Sequence, residues 1–224
     1  GLLRQVLPTS DQQPARQVGG DFYDFFFVDK NKLCVVIGDV SGKGVPAALF
    51  MAISKTLLKN EAMSGFSPDE VVSRVNNILV PDIQLCMFVT VFLLILNTDT
   101  GEIQFCNGGH NPPLICGRNK CFEFMDVPKG FVVGAMENSK YSFKSFTIDE
   151  GGIIFLYTDG VSEAMNKQQQ LFSEARLRDE LEKVKNKPIT EIVSSMRQAI
   201  LNFAGGAAQS DDITVVVLRY NGRH

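Results

Sequence analysis

A chain of 224 residues, 45% apolar and 21% charged, has the composition of a soluble globular protein. Its 22 Lys and Arg against 25 Asp and Glu give no basic excess of the kind that marks a nucleic-acid binder. Its longest apolar run, Phe88 to Leu96, broken only by Thr90, is about half a membrane-spanning helix. The five cysteines are odd in number and form no C-x-x-C pair, which argues against a disulfide framework or zinc ribbon and for a reducing, cytoplasmic compartment. No signal-peptide pattern opens the sequence. Only His110 and His224 are histidines, so H-E-x-x-H zinc chemistry is excluded. No cysteine is followed six positions later by arginine, so a cysteine-phosphatase loop is excluded too. Hydrolytic chemistry is left to carboxylates or to His110.

In chain order, Gln17 to Val28 and Lys32 to Gly38 read as a strand pair joined through Asp29-Lys30-Asn31. Pro46 stands near the start of an apolar helical stretch, Ala47 to Met63, and Ser67-Pro68-Asp69-Glu70 is a capping box that opens a second helix. Met87 to Asn97 is nearly continuous apolar sequence, hence a strand buried on both faces, turned by Thr98 to Gly101 into Ile103 to Asn107. Leu114 to Cys116 and Cys121 to Phe124 flank a turn at Gly117-Arg118-Asn119. Gly152 to Tyr157 and Ile213 to Tyr220 are further strands. Between them lie helices over about Glu174 to Lys183 and Pro188 to Phe203, the second stopped by Gly205-Gly206. With no repeat, low-complexity tract or linker, residues 1–224 are expected to form a single α+β domain.

Several apolar strands run directly into, or out of, aspartate. Leu33 to Gly38 ends at Asp39, Ile153 to Thr158 ends at Asp159-Gly160, Asp211-Asp212 precedes Ile213 to Val217, and Val18-Gly19-Gly20 leads into Asp21. Taken singly, each is also an ordinary strand-end turn or helix cap. Brought together, they would repel one another at a cost of several kcal/mol unless counter-charge were supplied. The neighbouring segments offer only Lys43 and Arg16 as cations. Mg²⁺ or Mn²⁺, which favour carboxylate, carbonyl and water oxygens, would answer that need.

Six motifs stand in order: Val18-Gly-Gly-Asp-Phe-Tyr-Asp24, Gly38-Asp-Val-Ser-Gly-Lys-Gly44, Met87-Phe-Val-Thr90, Asn107-Gly-Gly-His-Asn-Pro-Pro113, Tyr157-Thr-Asp-Gly-Val-Ser-Glu-Ala164 and Asp211-Asp-Ile-Thr214. Together they resemble the SpoIIE/RsbU-type bacterial serine phosphatases, a branch of the metal-dependent PPM (protein phosphatase type 2C-like) family, over about Pro14 to Tyr220. The resemblance implies a central antiparallel β-sandwich flanked by helices, in α-β-β-α layers. It also implies a pair of Mn²⁺ or Mg²⁺ ions at one end of the sandwich. By the same resemblance Asp21 binds the second metal, Asp39 bridges both with the Val40 carbonyl assisting, and Asp159 and Asp211 hold the first. Asp212 ranks below Asp211, because many relatives have asparagine there. The implied reaction is attack of a metal-activated water on phosphoserine or phosphothreonine, with Asp39 and Asp159 acting through that water. The implied substrate is a phosphorylated anti-sigma factor antagonist, and the implied neighbour in the chain is an N-terminal sensor or receiver module. A catalytically silent phosphoprotein-binding module of the same fold is the alternative.

Four other positions invite readings. Gly38 to Gly44 is one residue short of a Walker loop and ends in glycine where Ser or Thr is required, so its glycines are better read as allowing close backbone approach and a tight turn. Lys43 is then either a solvated loop lysine or a substrate contact. His110 lacks a G-x-S-x-G partner and reads as structural. Ser41 occupies the place where eukaryotic relatives carry a candidate general-acid histidine. Arg16, five residues before Asp21, is either a phosphate clamp or an exposed strand arginine.

Overall fold

The computed structural model describes residues 6–13, 19–80 and 87–222. Two five-stranded antiparallel sheets form its centre. The first is ordered β1 (Val6–Gln13), β10 (Ile213–Tyr220), β9 (Ile153–Tyr157), β6 (Leu114–Cys116), β7 (Glu123–Phe124). The second is ordered β2 (Phe22–Phe27), β3 (Lys32–Val40), β4 (Val89–Asn97), β5 (Glu102–Gly108), β8 (Phe143–Thr147). α1 (Val45–Met63) and α2 (Pro68–Leu79) cover the second sheet; α3 (Asp159–Ser162), α4 (Ser173–Val184) and α5 (Ile189–Ala204) cover the first. The four layers are the expected α-β-β-α sandwich.

The two-residue period of a strand explains why the central segments are apolar throughout. In β3, Leu33, Val35 and Ile37 point between the sheets while Cys34 and Val36 point towards α1 and α2. In β4, Phe92, Leu94 and Leu96 point inward, and Val91, Leu93 and Ile95 point outward. Ile154, Leu156, Val216 and Leu218 of the first sheet meet them, so both faces of four strands are buried. Each such Leu, Ile or Phe contributes roughly 1.5–3 kcal/mol by leaving water.

Local chemistry sets the helix ends. Pro46 lies in the first turn of α1, and at α2 the Ser67 N–H donates to Glu70 Oε2 at 2.9 Å, closing the expected capping box. Gly205 adopts the left-handed conformation (φ 56°) that ends α5. Among the described residues, no helix is long and apolar enough to cross a membrane.

Four elements depart from the sequence reading. β1 and β8 were not expected, and β2 begins at Phe22 rather than Gln17, residues 14–18 lying outside the described set. Asp159 to Ser162 forms a helical turn rather than a simple Asp-Gly turn.

Candidate active site

Register places the acidic residues. Phe22 of β2 pairs with Gly38 of β3, so Asp21 stands beside Asp39 at one end of the second sheet. Val215 of β10 pairs with Tyr157 of β9, so Asp211 and Asp212 stand beside Thr158 and Asp159 at one end of the first. Hydrogen bonds across the sandwich show that these are the same end of the molecule. Gly20 N–H donates to Asp212 Oδ2 at 2.7 Å, and the Thr158 hydroxyl donates to Asp21 Oδ2 at 2.7 Å. Gln12 of β1 reaches the Asp21 carbonyl at 2.8 Å.

The electrostatics follow from that crowding. Burial pushes the Asp21 carboxyl well above the usual carboxylate range, with Asp39 adding to the shift while the Thr158 and Thr214 hydroxyls oppose it. Asp39 is also pushed up, first by burial and then by Asp159, with Asp211 and Asp212 adding. Asp159 shifts the same way through burial, Glu163 and Asp211, against a smaller opposing effect of Lys43. Lys43 Nζ pairs with Asp211 Oδ2 at 3.0 Å and also donates to the Ser210 carbonyl. The lysine is therefore neither simply solvated nor free of the acidic cluster.

The remaining expectations resolve individually. Asp212 is buried and its Oδ2 is committed to Gly20, whereas Asp211 is half-exposed and faces Lys43. The Val40 carbonyl lies beside Gly20, 3.0 Å from where a Cβ on that glycine would sit. Close backbone approach is needed at Gly19, where a Cβ would fall 2.4 Å from Asp212 Oδ2. It is not needed at Gly42 or Gly44, whose surroundings are open and whose requirement is a positive φ of 91° and 86°. The Ser41 hydroxyl accepts the Phe88 N–H at 3.0 Å. Arg16 lies outside the described residues.

His110 is buried, with Nε2 3.1 Å from the Tyr157 carbonyl and Nδ1 2.9 Å from Thr90 Oγ1. The carbonyl can only accept, so Nε2 carries the proton and Nδ1 accepts from the Thr90 hydroxyl. Burial lowers the imidazole pKa to about 4, so the ring is neutral at physiological pH. It ties β4, next to Asp39, to the end of β9, next to Asp159. This is the structural role expected of it.

The donor chemistry at this end fits a hard divalent cation. It consists of carboxylate, hydroxyl and carbonyl oxygens, with Lys43 as the cation set against them. The buried Thr214 hydroxyl, close enough to favour the ionised form of Asp21 yet outside bonding geometry, has no hydrogen-bond partner among the described residues. The carboxylates converge without closing: among the described residues, no three acidic, histidine or cysteine side chains form a ready ion cage. Asp21 is turned to Thr158, Asp212 to Gly20 and Asp211 to Lys43. The Thr158 and Thr214 hydroxyls were not picked out from the sequence; their strand-end positions within two residues of aspartates were the available signal.

The family model of Stage II sporulation protein E (SpoIIE) matches residues 29–221. Protein IcfG of Synechocystis sp. is 30% identical over 93% of this chain and 37% of its own length. Phosphoserine phosphatase RsbU of Bacillus subtilis is 30% identical over 92% of this chain and 61% of its own length. The chain thus spans about four to six tenths of these relatives. The structure of the PP2C phosphatase domain and a fragment of the regulatory domain of Bacillus subtilis SpoIIE superposes with a TM-score of 0.81 at 20% identity, over 96% of this chain and 63% of that one. Ordered motifs, a four-layer sandwich and a matching family model over most of the sequence lead to one assignment: the chain belongs to the SpoIIE family and has the PP2C-type phosphatase fold.

Proposed function

We propose that this chain is a divalent-metal-dependent serine/threonine phosphoprotein phosphatase, with residues 1–224 forming a single catalytic domain. The observation that carries this reading is the convergence of Asp21, Asp39, Asp159, Asp211 and Asp212 from both sheets onto one end of the sandwich, with Lys43 as the cation against them. Asp21, Asp39, the Val40 carbonyl, Asp159 and Asp211 would hold two Mn²⁺ or Mg²⁺ ions, and Asp212 would brace Gly20 beside them. When bound, such ions neutralise phosphoryl charge and make a water acidic enough to attack phosphorus in line.

The chain's own groups limit the proton chemistry. His110 commits its one ring proton to the Tyr157 carbonyl and so does not donate to the leaving serine oxygen, whereas Ser41 only accepts from Phe88 and keeps its own hydroxyl proton. Lys43 stands where a phosphoryl oxygen could exchange for Asp211. By family likeness the substrate is a phosphorylated regulatory protein of the anti-sigma factor antagonist type. An N-terminal sensor or receiver module would act on this domain, in the cytoplasm. The Lys43–Asp211 pair and the unclosed carboxylate cluster favour a second reading, a silent phosphoprotein-binding module.

Phosphate release from a phosphoserine protein separates the two. Release is expected with Mn²⁺ and is expected to vanish with chelator. Chelator-insensitive release would point to another nucleophile. Tight phosphoprotein binding with no turnover at saturating Mn²⁺ would establish the silent module.

A further inference from the structure

Thr158 follows β9 directly and stands at the N-cap of α3, where a threonine hydroxyl ordinarily accepts a backbone N–H from the first turn. It makes no such bond. The hydroxyl turns across the sandwich and donates to Asp21 Oδ2 at 2.7 Å, linking residues 137 positions apart. The Thr214 N–H donates to the Thr158 hydroxyl oxygen at 3.1 Å, and the Thr158 N–H donates to the Thr214 carbonyl at 3.1 Å. Thr158 is completely buried.

We infer that Thr158 is a positioning residue that holds Asp21 in the orientation needed to bind a cation. Because Thr214 N–H occupies an acceptor site of the hydroxyl, the Thr158 proton is directed to Asp21. One oxygen of Asp21 is thereby fixed as an acceptor, in a carboxyl that has Asp39 as its neighbour. The same residue immediately precedes Asp159, so one threonine sets the separation of acids from both sheets. A hydrogen bond to a ligating carboxylate orients it, and losing such a partner costs about 10–100-fold in metal affinity. The inference rests on the metal-dependent reading above.

The test compares wild type with Thr158→Val, isosteric but without the hydroxyl, and Thr158→Ser, which keeps it. Free Mn²⁺ is followed by electron paramagnetic resonance during titration, and thermal unfolding is recorded in chelator. Thr158→Val should bind Mn²⁺ about 10–100-fold more weakly, whereas Thr158→Ser should stay within about threefold of wild type. A residue that merely filled space would change the unfolding midpoint without separating these affinities. Wild-type affinity in folded Thr158→Val, or equal weakening in both variants, overturns the inference. Wild-type protein that binds no Mn²⁺ overturns the metal-dependent reading itself. Should Thr158→Val fail to fold, Thr158→Ala replaces it with the same expectation.

Discussion

Asp39→Asn should lower Mn²⁺-dependent phosphate release by at least about 100-fold, since even the outer partners of a bound metal contribute about 10–100-fold. The same variant should be more stable than wild type when both are held in chelator. Asp39 is half-buried among Asp21, Asp159, Asp211 and Asp212, so asparagine removes a carboxylate that burial and its neighbours already resist ionising. The gain is expected to be about 0.5–2 kcal/mol, seen as a rise of roughly 1–8 °C in Tm. Its pH dependence has a definite sign. The pKa of Asp39 is raised on folding, so in the window above the ordinary carboxylate value the folded protein holds a proton that the unfolded chain has lost. Wild type therefore loses the contribution of this group as pH climbs from about 4 through neutral. The Tm gap between variant and wild type should be small near pH 4 and open with rising pH. Unchanged turnover in folded Asp39→Asn, or a lower Tm across that range, would contradict the account.

Gly160→Ala should be comparably damaging for a different reason. A Cβ at this position would lie 1.9 Å from the Asp212 carbonyl oxygen and 2.9 Å from its carbon. Backbone blocks the space, so the start of α3 and the approach to β10 must move apart. That movement separates Asp159 from Asp211 and Asp212, the residues whose proximity defines the site. Overpacking of this kind costs about 1–3 kcal/mol, or a fall of roughly 2–12 °C in Tm. Phosphate release should fall by at least about 100-fold, as for loss of a positioned partner. Thermal unfolding together with phosphate release checks both, and wild-type values of each would refute the proposed packing.

The parts of the fold legible in the sequence are those where one physical signal dominates. β3, β4, β9 and β10 are apolar on both faces because each lies between the other sheet and a helical layer. α2 carries its capping box and α5 its glycine stop. β1 was invisible because its sequence, Val6 to Gln13 with Pro8 and five polar residues at its end, has no strand periodicity; pairing with β10 creates it. β8 is an exposed edge strand whose alternation is equally weak. At the site, aspartates beside glycines stood out, and Gly19 and Gly160 prove to be small because Asp212 lies against them. The hydroxyl of Thr158 could not be assigned, since its partner Asp21 is distant in sequence and only the stacking of two sheets joins them. Lys43 had two readings, and the structure supplies a third, an ion pair with Asp211.

The most direct measurement is anomalous diffraction at the manganese edge from crystals of this chain soaked in Mn²⁺. Two peaks are expected at the acidic end of the sandwich, one against Asp21 and Asp39 and one against Asp39, Asp159 and Asp211. A protein that releases phosphate from phosphoserine while showing no peak among these carboxylates would contradict the claim that they exist to hold metal.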